Sequence, residues 1–189
     1  MLGYYTGCRR GEILSLKWQQ VNLIDRKIQL QAGETKSGDA RTIPLVTELY
    51  ELLAMQKAIR DQQHPGCPWV FFSAAGEQTT TRALRSAWLA ATQHAGLWEG
   101  DAETGKPTKL FHDLRRSAVR NLVRAGTPET VAQRISGHKT RAVFDRYNIT
   151  SEEDLTEAAA KLERYHQDRR GAVPAKSHTI VTQAPSKPS

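Results

Sequence analysis

Apolar residues recur along most of the chain at intervals of three and four positions, the spacing of one face of an α-helix. Two shorter stretches, 27–31 and 40–45, have strand-like patterns and flank the turn sequence Ser37-Gly38-Asp39, which predicts an antiparallel hairpin. Residues 69–72 predict a further short buried strand or extended segment. The predicted helices cover residues 9–18, 48–60, 79–96, 111–125, 127–137, a short segment from 141, and 151–166.

Capping residues mark several of these helix ends. Thr47, Thr127 and Ser151 are predicted N-caps, and the last of them begins a capping-box pattern that ends in Asp154. Gly126 and Gly137 follow the ends of two predicted helices, where glycine accepts a left-handed conformation. Residues 99–107 are predicted to form a polar loop.

These elements predict a mixed α+β fold that is mostly helical and contains a small antiparallel sheet. Residues 1–166 are expected to form one folded domain, and residues 167–189 a disordered tail, because that end combines prolines with polar residues. No apolar run has the length of a membrane span, and the N-terminus has no secretory signal pattern. We therefore expect a cytoplasmic protein, associated with the nucleoid and of bacterial or phage origin.

The positive charge is concentrated in one part of the chain. The whole chain has 27 Lys and Arg against 20 Asp and Glu, a net charge of +7. Residues 106–146 contain ten bases and three acids, so this segment alone carries the whole net charge of +7. Such a concentration predicts a polyanionic partner, nucleic acid first, although a solvated helix face would have the same composition.

Four short sequences resemble the conserved boxes of the tyrosine recombinases, the phage integrase family. They are Thr6-Gly7-Cys8-Arg9-Arg10-Gly11-Glu12, Thr35-Lys36-Ser37-Gly38, His112-Asp113-Leu114-Arg115, and Gly137-His138 with Tyr147 nine residues after the histidine. One box would be weak, but all of them in this order are a specific signal. The resemblance implies the catalytic-domain fold of that family and an enzyme that cleaves and rejoins DNA.

The residue types fit that chemistry on physical grounds. Attack on a phosphodiester places extra negative charge on the non-bridging oxygens, and arginine can bind two such oxygens while staying charged. A phenol is a poor nucleophile at its reference pKa of about 10, so it needs a cationic pocket or a nearby base. The departing 5′ oxygen needs a proton, which a lysine on a hairpin can give.

The resemblance also implies individual roles. Tyr147 attacks the scissile phosphate and becomes a 3′-phosphotyrosine. The position of Glu12, one predicted turn after Arg9, favours a structural partner that orients an arginine over a catalyst. The groups that stabilise the transition state are Arg9, Arg115, His112 and His138; Lys36 is the general acid, and His112 is also a possible acceptor of the tyrosine proton. Neither metal nor cofactor is expected, because the bond energy is conserved in the covalent link.

Several alternatives remain open from the residues alone. Lys27 rivals Lys36 as the acid. Core histidines or a metal pair are the alternatives for His112 and His138, although their spacing fits no standard zinc pattern and no acid-rich cluster lies beside them in the sequence. The bases Arg116, Arg120, Arg124, Lys139 and Arg141 are predicted to contact the DNA backbone; helical spacing also fits a solvated face for the first three.

Assembly raises further expectations. Family members usually carry an N-terminal DNA-binding clamp, which we expect to be missing here with the first helices of the catalytic domain. The resemblance implies double-stranded DNA as partner, a homotetramer on DNA in which helix 151–166 docks on a neighbouring subunit, and accessory DNA-bending or directionality proteins. Docking of that helix within its own subunit is the alternative. Rival functions are a non-catalytic DNA-binding remnant and relaxation of DNA as in type IB topoisomerases.

Overall fold

Short helices around a small antiparallel sheet make up most of the structure, a computed structural model that describes residues 1–33, 38–147 and 151–171. The chain divides into two units, Met1–Ile149 and Thr150–Ser189. The helices of the first unit are α1 (Leu2–Thr6), α2 (Arg10–Leu14), a 3-10 turn (Trp18–Gln20), α3 (Thr47–Gln63), α4 (Thr81–His94), α5 (Asp113–Arg124), α6 (Glu129–Ser136) and α7 (Arg141–Asp145). Its strands are β1 (Val21–Asn22), β2 (Lys27–Leu30), β3 (Arg41–Pro44), β4 (Trp98–Glu99) and β5 (Lys106–Pro107). The predicted α+β class, mostly helical, is confirmed.

The sheet β1-β2-β3 is antiparallel throughout and places one face on the main core. Ile28 on β2 lies opposite Ile43 on β3, and both side chains are almost fully buried. Since side chains alternate along a strand, Arg41 is on the same face of β3 as Ile43. The core that covers this face is completed by apolar residues of α1, α2 and α3, including Leu2, Ile13 and Leu49.

A second apolar cluster joins α5, α6 and α7. Val119, Ala132 and Phe144 are fully buried there, and the ring of Tyr147 packs against them. Gly137 ends α6 in a left-handed conformation, as predicted, with φ at 68°. This cluster fixes the position of the segment that carries Tyr147, because Phe144 anchors it three residues earlier.

Some predicted boundaries were wrong. The helix predicted over 9–18 ends at Leu14, and the 3-10 turn at Trp18–Gln20 follows it. The segment predicted as the polar loop 99–107 instead contributes to the paired strands β4 and β5.

Two predicted N-caps were also wrong. Thr47 is the first residue of α3, whose N-cap is Val46, and Pro128 rather than Thr127 caps α6. Residues 69–72, predicted as a short strand or an extended segment, form isolated bridges through Trp69 and Phe72, so the second alternative holds.

The second unit contains one described helix, α8 (Glu152–Gly171). Asp154 accepts from the backbone N–H of Ser151 at 2.8 Å, and the Ser151 hydroxyl accepts from the backbone N–H of Asp154 at 3.3 Å, which are the two bonds of the predicted capping box. Leu155 and Leu162 are exposed. The helix extends beyond the predicted end at 166, and residues 172–189 of the predicted disordered tail lie outside the described residues. Within the described ranges, no helix is long and apolar enough to cross a membrane.

Candidate active site

The first cation of the site is held at the start of α2. Arg9 is the N-cap residue, and its backbone N–H donates to Oε2 of Glu12 at 2.8 Å. Its guanidinium donates through Nη1 to Oε1 of the same carboxylate at 3.0 Å, and through Nη2 to the carbonyl of Gly137 at 3.1 Å. Glu12 therefore fixes both the backbone and the side chain of Arg9, which fits the orienting role expected of it.

Arg115 lies at the centre of the site and is 3% exposed. Its Nη1 donates to the carbonyls of Gly7 and Ser136, and its Nε donates to Nε2 of His138 at 3.1 Å. Nη2 is buried and has no hydrogen-bond partner among the described residues. Burial, followed by the charge of Arg9, lowers the pKa of Arg115 to about 10, so the group stays charged at neutral pH.

The hydrogen bonds of His138 define its tautomer. Because Nε2 accepts from Arg115, the ring proton lies on Nδ1, which donates to the hydroxyl of Ser136 at 2.8 Å. That hydroxyl donates in turn to the carbonyl of Ala132 at 2.8 Å. Burial first, and then the charges of Arg115 and Arg9, lower the pKa of His138 to about 3. His138 is therefore neutral and holds the Arg115 guanidinium through this hydrogen bond.

His112 and Tyr147 meet directly. Nε2 of His112 lies 2.9 Å from the Tyr147 hydroxyl. The helix predicted over 111–125 begins at Asp113, so His112 is its N-cap residue rather than a residue inside it. The pKa of His112 lies below its ordinary value, first because neighbouring groups desolvate the ring and then because of the charge of Arg115. Neutral His112 can therefore accept the phenolic proton.

The tyrosine ring is held on its other side as well. It lies against the His138 ring with centroids 4.8 Å apart, and it packs on the cluster that contains Phe144. Arg9 and His112 both line an open cleft of about 980 Å³. The structure thus brings the phenol, two histidines and two arginines from four separate segments into one place.

Arg41 is a residue of the site that sequence reasoning missed. Its Nη2 donates to Oε2 of Glu12 at 2.6 Å, and its side chain is 6% exposed. The signal was present in the sequence: Arg41 stands two positions before buried Ile43, so strand alternation turns both toward the interior. A buried arginine needs an acidic partner, and Glu12 is that partner. The pKa of Glu12 is raised by burial but lowered further by Arg41 and Arg9, and the net shift is downward.

The structure does not place the predicted general acid. Lys36 lies outside the described residues, and its rival Lys27 forms an ion pair with Asp25 at 2.9 Å. No group of three His, Cys, Asp or Glu side chains suited to a metal ion occurs in the described part of the chain.

The predicted DNA-contacting bases differ in their surroundings. Arg116, Arg124 and Lys139 are exposed, whereas Arg120 is half-buried. Arg141 is exposed but already forms ion pairs with Glu129 and with Asp145, the latter at 2.7 Å. Arg141 therefore has to exchange protein partners for phosphate if it contacts DNA.

Comparison with known proteins places this geometry in a family. The family model described as the phage integrase family matches residues 1–153. The integrase of Salmonella phage P22 is 27% identical over 169 residues, which are 84% of this chain and 40% of that protein. A shufflon-specific DNA recombinase of Escherichia coli is 29% identical over 148 residues, 77% of this chain and 32% of that protein. The chain thus spans well under half the length of these relatives.

Solved structures agree with the match. The crystal structure of XerA recombinase superposes with a TM-score of 0.67 at 22% identity, covering 89% of this chain and 56% of that one. A lambda integrase dimer bound to a core site gives a TM-score of 0.60 at 24% identity, covering 78% of this chain and 40% of that one. The predicted fold of a tyrosine recombinase catalytic domain is confirmed, and the chain belongs to the phage integrase family of site-specific recombinases.

Proposed function

We propose that this chain cleaves and rejoins DNA strands through a covalent 3′-phosphotyrosine on Tyr147. The observation that carries the proposal is the 2.9 Å contact between the Tyr147 hydroxyl and Nε2 of neutral His112, beside two arginines. A nucleophile within hydrogen-bond reach of a base is the arrangement that phenolic attack requires. Relatives named as integrase and DNA recombinase support DNA as the substrate.

The step balances without a further reactant. The Tyr147 oxygen bonds to phosphorus as its proton passes to His112, and the bond from phosphorus to the 5′ oxygen breaks. Arg9 and Arg115 stabilise the extra charge on the non-bridging oxygens, for which Nη2 of Arg115 has no other partner in the described chain. The leaving oxygen takes a proton from a general acid, the role assigned to Lys36. Attack by another 5′-hydroxyl reverses the sequence and reseals the strand.

His138 acts on the phosphate indirectly, through Arg115. It accepts from Nε of Arg115 and is held by Ser136, so it fixes the plane of the guanidinium. The exposed bases Arg116 and Lys139, with Arg120, Arg124 and Arg141, supply contacts to the duplex backbone. A homotetramer on DNA, linked through the exposed Leu155 and Leu162 of α8, is the assembly that fits strand exchange.

The experiment is covalent capture on DNA. The protein is incubated with a library of nicked duplexes of randomised sequence. A nick next to the cleavage site lets the released 5′-hydroxyl fragment diffuse away, so the covalent adduct cannot be resealed. The adducts are recovered after denaturation. We expect a DNA adduct whose digestion yields a nucleotide-modified peptide containing Tyr147. Tyr147→Phe abolishes it, whereas Tyr50→Phe, a matched change at a half-buried tyrosine of α3, retains it.

Two results would contradict the proposal. An adduct that persists in Tyr147→Phe would assign the nucleophile elsewhere. DNA binding without any adduct, also when an N-terminal clamp domain is supplied, would make the chain a non-catalytic binding remnant. Relaxation of supercoiled plasmid by monomer would instead favour topoisomerase-like chemistry.

A further inference from the structure

A buried ion pair joins Glu12 of the first box to Arg41, a residue outside the four boxes. The side chains of Arg41 and Glu12 are 6% and 4% exposed, and Nη2 lies 2.6 Å from Oε2. Glu12 thus serves two arginines with one carboxylate: Oε1 accepts from the Arg9 guanidinium, while Oε2 accepts from Arg41 and from the Arg9 backbone. Removal of either arginine changes the charge that the other one faces.

Arg41 also packs directly on Gly137. A Cβ atom built at Gly137 would collide with Nη1 of Arg41, so the guanidinium occupies the space that any larger residue would need. The carbonyl of the same glycine accepts from Nη2 of Arg9 at 3.1 Å. Arg41 therefore contacts both groups that hold the Arg9 guanidinium, Glu12 and Gly137.

Arg41 itself is not placed to touch DNA. Its Nε and Nη1 atoms are buried, and neither has a hydrogen-bond partner within the described ranges. Buried donors without partners are costly, so the ion pair with Glu12 is what compensates for the position of this charge. Its charge also acts on Arg115 and His138, but its direct contacts are with Glu12 and Gly137, the two groups that hold the Arg9 guanidinium.

We propose that Arg41 is a positioning residue that keeps Arg9 available to the scissile phosphate, an inference that rests on the proposed function. While Arg41 holds Oε2, Glu12 pairs with the Arg9 guanidinium through Oε1 alone. Without Arg41, the full charge of Glu12 faces Arg9, and the carboxylate turns to bind its guanidinium with both oxygens. Arg9 then has less charge and fewer free donors for the phosphate.

The test is a double-variant comparison at these two positions. Cleavage rates at saturating nicked DNA, and DNA affinities, are measured for the full chain, Arg41→Met, Glu12→Gln and the double variant. We expect Arg41→Met to slow cleavage about 30-fold with DNA affinity changed less than about twofold, because one charge acting indirectly contributes less than a direct donor. Arg60→Met is the matched control, since Arg60 is a largely buried arginine of α3 with an acidic neighbour, Asp61.

The double variant separates positioning from mere packing. Glu12→Gln removes the charge that captures Arg9, so adding it to Arg41→Met should restore cleavage to within about threefold of Glu12→Gln alone. A purely structural Arg41 would give a double variant at least as slow as Arg41→Met, and that result would overturn the proposal. Arg41→Lys, which keeps the charge, should recover part of the lost rate.

A second readout is independent of turnover. Binding of inorganic phosphate is followed by ³¹P line broadening in the same four proteins. Arg41→Met should weaken phosphate binding, and the double variant, which also carries Glu12→Gln, should recover it. If the unchanged chain forms no DNA adduct, the proposed function fails. The phosphate affinities of the four proteins still test whether Arg41 positions Arg9. Equal phosphate affinities in all four proteins would refute the inference even if cleavage occurs.

Discussion

The hydroxyl of Tyr147 lies 2.9 Å from Nε2 of His112, although the two residues are thirty-five positions apart in the chain. The phenol reaches this point because its ring packs on the buried cluster around Phe144 and against the ring of His138. The proposed nucleophile thus lies within hydrogen-bond distance of the proposed base in the same unit of one chain. This contact has a measurable consequence for the pH dependence of cleavage.

Cleavage should depend on a neutral His112. Packing and the charge of Arg115 hold its pKa below the ordinary value of 6.5, so His112 can accept a proton at neutral pH. We expect the rate of adduct formation to be level near pH 7 and to fall as acid protonates the ring, in a profile measured between about pH 5 and pH 9. His112→Gln should lower the rate about 100-fold or more and remove this fall. An unchanged acidic limb in that variant would mean that another group titrates.

Folding stability should also depend on His138. Its pKa is about 3 in the folded chain against 6.5 for the free residue, so the unfolded chain binds the extra proton as pH drops. Stability is therefore complete above pH 6.5 and is lost as pH falls toward the folded value. Between about pH 7 and pH 5 we expect His138 to account for a loss of about 2 kcal/mol in the free energy of unfolding.

Urea unfolding of the unchanged chain and of His138→Gln at both pH values measures this loss. The glutamine variant should be less stable at neutral pH but should change less on acidification. An identical pH dependence in the two proteins would show that the histidine is already accessible to protons in the folded state.

Gly137→Ala should damage both stability and activity. The residue has φ at 68°, and an added Cβ would collide with Nη1 of Arg41. Gly126→Ala is the matched control, because that glycine has φ at 79° but open space around the Cβ position. The control should lose about 1 kcal/mol for the left-handed conformation alone, and Gly137→Ala about 2 kcal/mol or more. Denaturant unfolding and adduct formation test both; equal losses would mean that Arg41 moves aside freely.

The exposed bases of the 106–146 segment should determine the salt dependence of DNA binding. Each phosphate contact contributes about 0.9 to the slope of log affinity against log salt. Arg116→Ala and Lys139→Ala should each reduce that slope by about 0.9, whereas Lys57→Ala on α3 should leave it unchanged. Fluorescence anisotropy across a salt series measures the slope for the unchanged chain and for the three variants. Slopes that stay constant in both variants would assign these residues to a solvated face.

Much of the local structure follows from short-range patterns. Apolar periodicity predicted the positions of α3, α5 and α6, and the left-handed end of α6 followed from Gly137. The strand pair β2–β3 was likewise evident from the sequence. These features depend on neighbouring residues only, through backbone preference and the burial of one face. The paired strands β4 and β5 were missed because each strand is only two residues long, too short to show an alternating pattern.

For the candidate site, too, some properties follow from the sequence and others from the tertiary structure. The sequence by itself determined the family, the α+β class and the identity of the residues proposed to act, since the boxes are local strings. Only the tertiary structure decided that Tyr147 meets His112, that His138 carries its proton on Nδ1, and that Arg41 shares Glu12 with Arg9. Each of these contacts joins segments brought together by the packing of separate helices and a strand, so no local pattern contains it.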